Sequence, residues 1–223
     1  NAQQLIYTRR VGARADDGSG SGDVTAAVKI NGSLGGFGYG LFAATEGDVV
    51  GRDFYALRAT RGFEQQNIGT MVTRVNRPFL DREATVFSVD HQWRPNAKWS
   101  IRTNLVGSNI DQRGETVRDT GAQVRIDHDI GDGWRQQLYM LHSGGDLQLN
   151  DFGFLDRNNF NYARYEIARR FTSLPETSPY ASHQWRLAAS HRSNDDGVHI
   201  GDAFAMNRYS ERRDGGNQFF EIA

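Results

Sequence analysis

The chain has 223 residues, with 26 Lys+Arg against 27 Asp+Glu, 38% hydrophobic residues and a mean hydropathy of −0.64. The near-neutral balance argues against a broad basic footprint for nucleic acid, and the 11% aromatic content argues against disorder. Cysteine is absent, which excludes disulfide scaffolds and thiolate metal sites, and no stretch approaches the ~20 apolar residues of a membrane-crossing helix. Two classes remain: a soluble β protein or a membrane β-barrel.

Period-two alternation dominates and helical periodicity is scarce. In chain order it predicts about twelve strands, at 4–10, 24–32, 36–45, 53–62, 67–75, 84–94, 99–109, 121–130, 134–143, 160–170, 182–192 and 198–209. Thr85, Phe87, Val89, His91 and Trp93 share one face; Val86, Ser88, Asp90 and Gln92 share the other. Trp99, Ile101, Thr103 and Leu105 repeat the pattern, as do Ala122, Val124, Ile126, His128 and Ile130. Over 160–170, Tyr162, Tyr165 and Ala168 or Arg169 also fit one helical face. A mean repeat of roughly 18 residues, with strands of about ten, suits a membrane barrel better than a soluble sandwich.

The connections alternate long and short over most of the chain, as membrane barrels require. Long ones are expected at 13–23, 46–52, 76–83, 110–120 and 144–159; short ones at 33–35, 63–66, 95–98 and 131–133. The Pro-containing stretch 171–181 breaks the alternation. Trp93, Trp99 and Trp134 flank short turns, where an interfacial girdle would sit; cross-strand packing in a soluble sheet is the alternative.

Four stretches carry a family likeness. They are Tyr7–Gly12, Ala26–Gly32 with the Gly-aromatic run 36–40, Ile68–Arg74, and Phe152–Asn158. In these the chain resembles an uncharacterised bacterial outer-membrane β-barrel domain that commonly follows a carbohydrate-binding module of the family-nine type. The resemblance implies an antiparallel up-and-down transmembrane β-barrel in the bacterial outer membrane, with lipid as its partner. It implies no activity, because the family has no settled one. Such members are longer, so 1–223 is expected to be a single barrel domain or a fragment of a larger barrel, with Asn1 an internal or processed start.

Catalytic and metal motifs are scarce. In Asp127-His128-Asp129 the imidazole points away from both carboxylates, so the three cannot converge on one ion; Asp90-His91 fails likewise. His-Glu-x-x-His spacing is absent, the 36–40 run lacks the helix and Lys-Ser/Thr of a phosphate loop, and 18–22 reads as a flexible loop. No metal, cofactor or catalytic set is therefore expected. The functional candidates are an inward polar row of Arg58, Arg102, Asn104, Arg125, Asp127, Arg135, Gln137, Arg164, Glu166 and Arg186. They line either an aqueous route or a plugged interior, with loops 110–120 and 144–159 shaping the outer mouth. The expected function is passage or binding of small solutes or saccharides without chemistry. The alternatives are a barrel hydrolase with a rim site near His142 and Asp146, and a soluble carbohydrate-binding or adhesin-like β protein.

Overall fold

A computed structural model describes residues 3–47 and 49–223. Asn1, and Asp48 within the connection expected at 46–52, lie outside the described residues. The strands are β1 (Gln3–Gln4), β2 (Val24–Leu34), β3 (Phe37–Glu46), β4 (Asp53–Gly62), β5 (Gln66–Arg77), β6 (Arg82–Asn96) and β7 (Trp99–Gln112). There follow β8 (Glu115–Gly131), β9 (Trp134–Ser143), β10 (Phe154–Leu155), β11 (Phe160–Phe171), β12 (Tyr180–Ser193), β13 (His199–Arg212) and β14 (Asn217–Ile222). Among the described residues there is no α-helix; single 3-10 turns occur at Thr8–Arg10 and Pro78–Leu80.

Twelve strands form one up-and-down antiparallel sheet, ordered β2-β3-β4-β5-β6-β7-β8-β9-β11-β12-β13-β14, so β2 and β14 are its edges. β1 and β10 make a separate two-stranded ladder. The all-β, antiparallel meander is thus as the alternation predicts, including a strand rather than a helix at β11.

Three elements differ from expectation. The stretch 4–10 is not a long strand: only Gln3 and Gln4 pair, before the 3-10 turn. The twelfth long strand is instead β14. The long loop expected at 110–120 is a two-residue turn, because Arg113 (φ 52°) and Gly114 (φ 83°) both adopt the left-handed conformation of a tight hairpin. An Arg-Gly pair is a weaker signal for that turn than Asn-Gly, and the polar residues around it read as loop.

The chain divides into two compact units. The first comprises Asn1–Gln92, Thr103–Ala122 and His142–Phe160; the second comprises Trp93–Arg102, Gln123–Leu141 and Asn161–Ala223. In the first unit, register sets Leu41, Leu57 and Val72 side by side on one face, and Ala44, Phe54 and Val75 on the other. The first face is bare, with Leu57 57% exposed, whereas Phe54 and Val75 are fully buried. What covers them is the segment before β2 together with the β9–β11 connection. Phe152 packs on Phe54 and Phe42, with Leu5, Ile6 and Val11 around them. Leu147, Leu149 and Leu155 seal Val86 and Val106. The connection at 144–159, expected to shape an outer mouth, is therefore folded against the sheet. Loop apolar residues that look surplus in sequence have a sheet face to bury.

Close backbone approach holds the two covering segments together. The Tyr7 N–H donates to the Phe152 carbonyl at 2.7 Å, and a Cβ on Gly153 would lie 2.2 Å from the Gln4 carbonyl oxygen. Any side chain at 153 would push them apart. A chain of ion pairs fastens both to the strand ends: Glu46–Arg52–Asp16–Arg77–Asp151–Arg82. Arg82 also donates to Gln112 and Gln148, so all three of its guanidinium nitrogens are bonded.

In the second unit, Ile167, Leu187, Met206 and Ile222 align across four strands on one face; Arg169, Trp185, Arg208 and Phe220 form the next rank on the same face. Leu187, Trp185, Phe204 and Phe220 are all exposed. The opposite face carries Arg164, Glu166, Gln184 and Arg186.

Candidate functional site

The predicted polar row divides into four charged sets and Asn104. In the second unit Asp127 is the hub of one: Arg102 Nη2 reaches it at 2.9 Å, Arg125 Nε at 3.0 Å, and Gln137 Nε2 at 2.8 Å. Three strands meet there, because Arg102, Arg125 with Asp127, and Gln137 lie on β7, β8 and β9. Glu166 is the second hub, held by Arg164 at 2.9 Å and by Arg186 at 3.2 Å. Each carboxylate thus has two guanidiniums, so the combined patch carries an excess of positive charge. Arg135 stands apart, paired with Asp129 at 3.4 Å.

In the first unit Arg58 pairs with Asp90 at 2.7 Å. Asn104 alternates with Val106 and Ser108, which face the buried 144–159 connection, so Asn104 lies on that same face. Around Phe54, Val75, Val86 and Val106 this face is apolar and sealed, a distribution the polar row alone does not suggest.

The bare face carries the aromatic side chains. Trp99 stacks on His128, with ring centroids 3.8 Å apart and planes 11° from parallel. Trp93 is exposed near the β6–β7 turn. Arg169 lies over both Trp134 (5.0 Å) and Phe171 (4.5 Å), and Arg208 lies over Trp185 at 5.7 Å. Trp185 joins the three tryptophans read from the sequence; register puts it level with Arg169, which its position in the chain does not reveal. In the first unit Arg61 repeats the arrangement over Phe37 (4.4 Å) and Phe63 (5.4 Å). Each of these groups sits towards the end of its strands that carries the 35–36, 63–65, 97–98, 132–133 or 172–179 connection.

Two histidine arrangements come from register rather than spacing. His183 Nδ1 lies 2.8 Å from Ser210 Oγ, a serine–imidazole pair. Ser210 is fully buried and its hydroxyl also accepts from Arg208 Nε at 2.9 Å, so this pair is not set up as nucleophile and base. His142 and Asp146, the hydrolase candidates, make different contacts: the His142 carbonyl accepts from Gln3, and the Asp146 N–H donates to Asp119. The other arrangement joins His191, His199 and Asp202, whose potential ligand atoms all lie within 4.8 Å of one another. No family model matches the chain, and no curated protein matches it in sequence.

Proposed function

We propose that the chain forms the wall of a bacterial outer-membrane β-barrel that passes or binds small solutes and performs no chemistry of its own. The observation that carries this reading is the bare apolar face of the sheet. In both units large side chains such as Leu57, Leu105, Leu187 and Phe204 stand exposed, and register sets Leu57 beside Leu41 and Val72, and Leu187 beside Ile167 and Met206. Contiguous apolar surface of this kind is a liability in water and an asset against acyl chains. Arginine-capped aromatics at one end of the strands fit the membrane–water boundary, where a ring rests at headgroup level and a guanidinium reaches outward. The family likeness of the sequence points the same way.

In a bilayer the free backbone groups of β2 and β14 need partners, because an unpaired edge costs several kcal/mol per group. The hubs at Asp127 and Glu166 then line the solute route. The test is electrophoretic mobility of detergent-folded protein, boiled against unboiled, with solubility in plain buffer measured alongside. A heat-dependent shift without a water-soluble form is expected, followed by single-channel conductance in planar bilayers. A stable water-soluble monomer with no shift overturns the proposal.

A further inference from the structure

We propose that His191, His199 and Asp202, at the β12–β13 hairpin, bind a divalent transition-metal ion such as Zn2+. Two imidazoles and one carboxylate make a donor set that suits Zn2+, Cu2+ or Ni2+ rather than Mg2+ or Ca2+, which prefer all-oxygen shells. The proposal rests on the hairpin alone and holds whether or not the sheet spans a membrane.

Register brings the three together. His191 is directly opposite Asp202, so both side chains leave the same face. His199 is three residues before Asp202, and in a regular strand such a pair points to opposite faces. Here the ladder slips: Arg192 pairs with Gly201, but Ser193 pairs with His199, leaving Ile200 as the extra residue of a β-bulge. The bulge reverses the alternation and turns His199 onto the face of His191 and Asp202. Bulges of this kind re-aim single side chains next to functional sites.

The distances fit a metal with little adjustment. His191 Nδ1 is 2.7 Å from Asp202 Oδ1, His199 Nε2 is 3.1 Å from Oδ2, and the two imidazole rings are 5.5 Å apart. Ligand atoms around tetrahedral zinc stand about 3.3 Å apart, so the His191 donor must draw back from the carboxylate by about 0.6 Å and the His199 donor by about 0.2 Å. All three side chains are more than half exposed, so nothing packed against them resists that movement. Exposure also leaves the remaining coordination position to water or to an external anionic ligand.

The experiment is a calorimetric titration of the folded full chain with ZnCl2 at neutral pH, paired with the absorption spectrum of the Co2+ form. One saturable site per chain is expected, with His191→Ala, His199→Ala and Asp202→Asn each weakening it about tenfold or more. His91→Ala, which removes an imidazole bonded to Gln66 well away in sequence, is expected to leave the site unchanged. Far-ultraviolet circular dichroism of each variant separates lost ligation from lost folding. Absence of saturable Zn2+ or Co2+ binding in the wild-type chain, or undiminished binding in a folded His191→Ala/His199→Ala double variant, overturns the proposal.

Discussion

Arg82 grips Asp151 with two parallel bonds, Nε to Oδ1 at 2.9 Å and Nη2 to Oδ2 at 2.6 Å. The first residue opens β6 and the second sits in the connection folded over the sheet, so the pair ties a loop to the strand end beneath it. Arg77 adds a third bond to the same carboxylate at 2.8 Å.

Removing that carboxylate leaves the Arg82 guanidinium with only the neutral Gln112 and Gln148, facing Arg77, which keeps Asp16. Asp151→Ala is expected to destabilise the first unit by about 3–5 kcal/mol, the usual cost of breaking a buried pair from one side. Chemical denaturation of the folded protein measures it, and a loss below about 1 kcal/mol contradicts the role given to the pair.

Acid should act through the same residue. Burial alone would raise the Asp151 carboxyl above its ordinary range, but the bonds from Arg82 and Arg77 outweigh burial and hold it below. Its folded value is therefore depressed, so its contribution to stability is fully present above about pH 4 and is lost as pH falls through the lower folded value. Protease cleavage within 144–159, followed from pH 6 down to pH 2 with an acid-active protease, should rise in that window. In Asp151→Asn cleavage should be raised throughout and the pH dependence should flatten.

Phe152 anchors the other half of this cover, with its ring 5.3 Å from that of Phe54. Phe152→Ala should cost about 3–5 kcal/mol and expose the segment before β2 to proteolysis while the sheet ladders persist. Hydrogen exchange resolves the two: faster exchange at Tyr7, with β4 and β5 unchanged, is the expected pattern.

The bare face yields the opposite expectation from an ordinary protein surface. Leu57→Arg and Leu187→Arg remove exposed apolar side chains, which in water is neutral or improves solubility. Against lipid each should cost about 2–4 kcal/mol if it lies near the bilayer midplane. Folding yield into vesicles, compared with Thr60→Arg on the opposite face of β4, distinguishes the two environments.

The charge hubs predict ion preference. Asp127→Asn removes the carboxylate shared by Arg102 and Arg125 and leaves both cations, so conductance should shift towards anions. The reversal potential across a salt gradient reads this directly; a shift towards cations, or no shift in a conducting channel, contradicts a route past Asp127.

Strand order and faces were legible in the sequence because alternation is a local property: Thr85 to Trp93 reveals its two faces without knowledge of any neighbour. Turns were legible where the residues are unambiguous, as at Gly131-Asp132-Gly133, and misread at Arg113-Gly114, where flanking polar residues extend the strands instead of forming a loop. What depends on pairing was hidden. Trp185 acquires its place beside Arg208 through register, and His191, His199 and Asp202 meet only through a hairpin and a bulge. The apolar residues of 144–159 likewise gave no sign of the sheet face they cover, since that face belongs to strands distant in the chain.

The central claim is that the bare face meets lipid, and the four tryptophans are its natural reporters. Their fluorescence should be measured after folding into vesicles whose acyl chains carry bromine at defined depths. Strong quenching by shallow bromines and weaker quenching near the bilayer midplane is the predicted result. Emission unaffected by bromine at every depth, from protein that stays soluble without detergent, would contradict it.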